Sequence, residues 1–124
     1  MEEQDKFEPL IIRSEKSGMP GPEHRLDIAK QTVRAVEFAC EHKLKYIIAC
    51  TIMSPSIGGL SMATSLAMDD TDYIENLDGC LPVLEEAEEY ELCAKLVKLK
   101  TLVPTIKFTR KRLKQDILDI ISEL

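Results

Sequence analysis

Apolar residues recur at helical spacing through most of this chain, and the clearest run follows Pro22. Leu26, Ala29, Val33, Val36 and Cys40 repeat at alternating intervals of three and four, while Asp27, Lys30, Gln31, Arg34, Glu37 and Glu41 take the opposite side. The pattern predicts a helix starting at Pro22 or Glu23, where a missing N–H costs nothing and an acid meets the positive end of the dipole. Ile28, Ala35 and Phe38 widen the apolar face, so two neighbours should contact it.

A second stripe, Tyr73, Leu77, Cys80, Leu84 and Ala87, predicts another helix, with Asp70 or Thr71 as its cap. Gly79 and Pro82 interrupt it, and Pro82 should kink or restart the helix near Leu81. The next stripe, Leu92, Leu96, Leu99 and Val103, is out of phase with Leu84 and Ala87. That slip predicts a break at 88–91 and a helical hairpin. A continuous rod would instead align Val83, Ala87, Tyr90, Ala94 and Val97. Pro104 ends the element, and a last helix should run from Thr105 or Thr109 to Leu124 with Leu113, Ile117, Ile120, Ile121 and Leu124 inward.

Between these lies Tyr46 to Met68, 23 residues without a charge, nominally enough to span a bilayer. Pro55, Gly58 and Gly59 at its centre favour two short buried elements joined by a turn. For 44–53 a buried strand and a buried helix share the same pattern. Few other segments could pair with a strand there, so the reading leans to helix, with a short helix over 60–68. Phe7 to Arg13 could form a short edge strand, held at an edge by Pro9.

Composition changes this picture little. The 124 residues make one domain by size, 44% hydrophobic and 31% charged, without Trp, so the core should be aliphatic. A formal net charge of -6 opposes a whole-surface attraction to nucleic acid or anionic lipid. The charged N-terminus has no apolar leader, which points to a cytoplasmic chain with Cys40, Cys50, Cys80 and Cys93 as reduced, small hydrophobes.

The order of the charges is more informative. From Asp69 to Glu91 stand ten carboxylates and no base; from Leu92 to Gln115 stand eight bases and no acid. Lys107, Arg110, Lys111, Arg112 and Lys114 open the last helix, and Asp116, Asp119 and Glu123 close it, the reverse of what the macrodipole favours. Three causes are open: solvation with an Arg112–Asp116 pair, neutralisation by the acidic block in one chain or across a dimer, and a bound phosphate backbone.

Catalytic signatures are weak. Glu85, Glu86, Glu88 and Glu89 read as a solvated face. Ser56 to Gly59 lacks the glycines and the lysine of a phosphate loop, Cys40 and His42 diverge on a helix, and no pair has zinc-ligand spacing. A cysteine in apolar surroundings is a poor nucleophile. No catalytic, cofactor-binding or metal residue is therefore assigned. The segment Tyr73 to Leu99, with its Leu-Glu-Glu-Ala-Glu-Glu-Tyr-Glu-Leu core, resembles the UVR helical hairpin, a motif used for protein–protein contact. The likeness covers about a quarter of the chain, and the Arg-Asp pair usual in that motif's second helix is absent.

These readings converge on a mainly α protein: a compact bundle of four or five helices, with a C-terminal hairpin and a final amphipathic helix. Residues 1–21 would be a flexible or clipped tail and 22–124 a single helical domain. The expected function is a non-catalytic intracellular interaction or adaptor module, self-associating through Lys107, Arg110, Lys111, Arg112 and Lys114 and through Glu85, Glu86, Glu88 and Glu89. It would need no cofactor and meet no membrane. One alternative is a nucleic-acid binder using 107–114; another is a small cysteine-dependent enzyme.

Overall fold

The computed structural model describes residues 10–13, 24–44, 47–53, 63–68 and 73–108. Strand β1 (Leu10–Arg13) leads to helix α1 (Arg25–His42) and then to strand β2 (Ile47–Met53). β1 and β2 pair in parallel, Leu10 opposite Cys50, so α1 is the crossover that parallel pairing needs. Strand β3 (Ala63–Met68) pairs antiparallel with β2 on its other side, giving the order β1-β2-β3. Helices α2 (Tyr73–Glu86) and α3 (Tyr90–Leu102) follow, and a short 3-10 turn spans Val103–Thr105. The described chain is mainly helical and carries a short edge strand, β1, with its order set by the sheet.

The short edge strand expected over 7–13 is present as β1, and the sheet it joins corrects the expected helices over 44–53 and 60–68. The lean to helix over 44–53 fails because Ile47, Ile48, Thr51 and Ile52 are β-branched and both edges of their strand find partners. The short helix over 60–68 fails likewise: Ala63–Met68 has little strand propensity of its own and is held by pairing to β2. The register slips by one between Ile48 and Cys50, so Ala49 is the extra residue of a bulge. Ile47, Ala49 and Cys50 are all buried. Three α-helices stand among the described residues; most of the span expected for the final helix lies outside them, and a start at Thr105 is ruled out because Ile106 is extended.

Helix α1 carries its stripe as read. Ala29, Val33, Val36 and Cys40 are buried together with Ala35 and Ala39, and Leu26 packs against them half-buried. Its wide face meets β2, α2 and α3. One core joins this face to Leu44, Ile47, Ala49, Tyr73, Leu77, Cys80, Leu84, Leu96, Leu99, Val103 and Phe108. A smaller cluster of Ile12 and Cys50 packs against Leu10 and Ile28.

Helix α2 runs continuously through Gly79 and Pro82, so of the kink or restart expected near Leu81 the restart does not occur. The ring removes one N–H, which would have bonded the carbonyl of Asp78, but Pro82 and Asp78 are both on the exposed side, where water replaces that bond. Tyr73, Leu77, Cys80 and Leu84 are buried, whereas Ala87 is exposed beyond the helix end. The break at 88–91 occurs as the phase slip predicts. Glu88 adopts a left-handed conformation (φ 59), and the Glu89 N–H bonds the Leu84 carbonyl at 2.9 Å. Helix α1 ends the same way, with Lys43 at φ 56 and the Leu44 N–H on the Ala39 carbonyl at 3.0 Å.

Tyr73 ties the layers together. Its hydroxyl donates to the Leu44 carbonyl at 2.9 Å, and its ring meets Phe108 edge-on at 5.6 Å. The first residue of α2 is thereby anchored to the loop between α1 and β2.

Candidate interaction surface

Three ion pairs distribute the sorted charges. Lys100 on α3 pairs with Asp78 on α2, the one described contact between the acidic and basic blocks. Lys95 reaches Glu37 on α1 at 3.2 Å, and Glu89 in the hairpin turn meets Lys30 on α1 at 3.0 Å. Compensation between the blocks is thus partly direct and partly routed through α1. These pairs are partly exposed, so each contributes a few tenths of a kcal/mol up to about 1. Their main effect is to orient α2 and α3 against α1.

Part of what remains uncompensated lies at the hairpin tip. Glu85, Glu86 and Glu88 are exposed and make no ion pair among the described residues. Lys107 is exposed beyond the 3-10 turn, while Arg110, Lys111, Arg112 and Lys114 lie outside the described residues.

The largest departure from the expected surface is on α3 itself. Its outer face exposes Tyr90 (65%) and Val97 (52%) beside Ala94, Glu91 and Lys98, and Leu102 (42%) is exposed on the Lys98 side, at the groove beside α1. Sequence reasoning did not assign these residues to a surface. The signal was present in the second stripe, Tyr90, Ala94 and Val97, that would have served a continuous rod. Once the chain breaks at Glu88, that stripe faces outward, and Leu96 and Leu99 face the core.

Beside this face, α1 and α3 border an open groove of about 490 Å³. Cys40, Ala94, Leu99 and Leu102 supply its apolar lining, and Glu37, Glu41, Glu91, Lys95 and Lys98 its charges. A smaller hollow of about 260 Å³ lies between Arg25 and Leu26 of α1 and Val83, Glu86 and Ala87.

The cysteines offer little chemistry. Burial pushes the Cys40 thiol up to about 11, with Glu41 and Glu37 adding to the effect, and burial alone pushes Cys50 up to about 11. Cys80 is also raised by burial, partly opposed by its hydrogen bond with Thr32. Cys93 is raised by desolvation and by Glu85 and Glu89. All four are free and stay protonated at neutral pH, which counts against a thiolate nucleophile.

Among the described residues no three His, Cys, Asp or Glu side chains converge as a metal site requires, and no helix is long and apolar enough to cross a membrane. Comparison with protein-family models, with curated proteins and with solved structures finds no match.

Proposed function

We propose that this protein is a non-catalytic interaction module that associates with a second copy of itself through helix faces of segregated charge. The observation that carries the reading is the outer side of the hairpin. Three exposed carboxylates, Glu85, Glu86 and Glu88, adjoin a helix that exposes Tyr90, Val97 and Leu102. Exposed large apolar side chains flanked by charge, as Tyr90 and Val97 are by Glu91 and Lys98, are the usual make-up of a protein-binding surface. The four protonated thiols leave a cysteine enzyme without an activated group. Of the basic segment, only Lys107 is described among those residues that a nucleic-acid site would use.

Sedimentation equilibrium at low and high salt tests the proposal. The expected result is a concentration-dependent oligomer whose stability changes with ionic strength. Replacing Glu85, Glu86 and Glu88 together by Gln should change that salt dependence while the thermal midpoint stays nearly constant. A chain that remains monomeric at every concentration and salt level would overturn it.

A further inference from the structure

We infer that the second copy docks antiparallel along α3, about a two-fold axis passing between Ala94 and Lys95. The inference rests on the proposed self-association and specifies its geometry. Leu96 and Leu99 point to the core, so Ala94 lies at the centre of the outer face. At 100° per residue, Tyr90, Val97 and Thr101 fall to one side of Ala94, and Glu91 and Lys98, with Leu102 at the helix end, to the other. The ion pairs fix which side is which: Lys95, beside Glu91 and Lys98, reaches α1, and Lys100, beyond Val97, reaches α2.

A two-fold axis perpendicular to α3 reverses positions along the helix and keeps the flanks facing like flanks. Glu91 and Lys98 are equidistant from the axis, about two turns apart, so Glu91 of one copy meets Lys98 of the other, twice over. On the second flank, Tyr90 falls between Val97 and Thr101 of the facing helix. Ala94, the smallest side chain on this face, sits at the crossing, where close approach of the backbones is needed. The surface is therefore complementary to itself in charge, in apolar content and in size. Parallel packing would place each charged flank against the facing apolar flank and lose the Glu91–Lys98 contacts.

Glu91 and Lys98 are both exposed, and neither makes an ion pair among the described residues. A contact centred on one 13-residue helix per copy is smaller than the standard interface of about 800 Å² per partner, so the dimer should be weak and concentration-dependent.

Charge reversal tests the geometry by sedimentation equilibrium on the full chain. Glu91→Lys and Lys98→Glu should each weaken the dimer about tenfold, because each places like charges opposite one another at both symmetric positions. The double variant carrying both changes should regain the wild-type affinity. Ala94→Arg should give monomers with an unchanged circular dichroism spectrum, since Arg is a good helix former at an exposed site. If the wild-type chain dimerises but Ala94→Arg dimerises equally, or the double charge swap fails to restore association, the antiparallel α3 contact is wrong and self-association stands elsewhere. If the wild-type chain is a monomer throughout, both fall.

Discussion

Helix α1 buries Ala29, Thr32, Val33, Ala35, Val36, Ala39 and Cys40, on a face shared by the sheet and two helices. Helix α3, five residues shorter, buries Leu96 and Leu99 and leaves Tyr90, Val97 and Leu102 exposed. α3 is the richer of the two in apolar residues and yet buries fewer of them, so composition does not account for the difference. Position does: α1 lies between two parallel strands and is covered by their sheet, whereas α3 is the second arm of a hairpin and, among the described elements, is packed against α1 and α2 on its inner side. The apolar residues of α1 hold the fold together. Those on the outside of α3 are left exposed, which is why they serve as the candidate surface.

Matched substitutions in the two helices give the largest contrast. Val36→Asp would bury an unpaired carboxylate at a site with no exposure, costing more than about 4 kcal/mol and abolishing cooperative unfolding. Val97→Asp, at a half-exposed position, should alter stability by less than about 0.5 kcal/mol. It should nevertheless abolish self-association. Urea denaturation and sedimentation equilibrium on the two variants read both effects, and a large loss of stability in Val97→Asp would remove the distinction between a structural helix and a docking helix.

Tyr73 probes the joint between the two regions. Tyr73→Phe keeps the edge contact with Phe108 but leaves the buried Leu44 carbonyl without its donor. The expected loss is about 1–3 kcal/mol, seen as a lower urea midpoint with an unchanged slope. A midpoint that stays where it was would mean that water takes the place of the hydroxyl.

The thiols of α1 and β2 give the buried region a pH dependence. Cys40 and Cys50, at about 11 in the folded chain against 9.0 when exposed, favour folding while both states are protonated. Above pH 9 the unfolded chain ionises first, so stability should fall between pH 9 and 11, by on the order of 1–2 kcal/mol for each thiol. Cys40→Ala and Cys50→Ala should flatten that slope, measured as the urea midpoint against pH. At neutral pH a thiol probe should label the folded chain slowly.

The difference in surroundings also explains how much was legible beforehand. An amphipathic helix such as α1 displays its buried face at 3.6-residue spacing, and the hairpin break announces itself as a slip in phase between Leu84 and Leu92. Strand β2 is short and apolar on every side, so its residues fit either structure. Its identity depends on β1, reached across the whole of α1, and on β3, whose Ala-Thr-Ser-Leu-Ala-Met sequence has little strand character. Ala49, as a bulge, further disturbs the alternation. Among the sorted charges, the acidic tip was visible, because exposed glutamates need no partner to be recognised. The crossing pairs Lys30–Glu89 and Lys95–Glu37 depend on tertiary placement and left no local trace.

The smallest expected effect comes from the two helix caps, which share one geometry in different settings. Lys43 and Glu88 both take a left-handed conformation, at φ 56 and 59, where a side chain strains the backbone and glycine does not. Lys43→Gly and Glu88→Gly should therefore each stabilise the monomer by about 0.5–1 kcal/mol, the relief of strain exceeding the extra entropy glycine brings to the unfolded chain. Lys43 ends the buried helix and belongs neither to the acidic tip nor to the outer face of α3, so its replacement should raise the thermal midpoint and leave association unchanged. Glu88 ends α2 within the exposed acidic tip, so its replacement should give the same gain in midpoint and also shift the salt dependence of association. Equal changes in association for both variants would show that the tip's charge has no part in self-recognition, and that any interface is held by the apolar face of α3 alone.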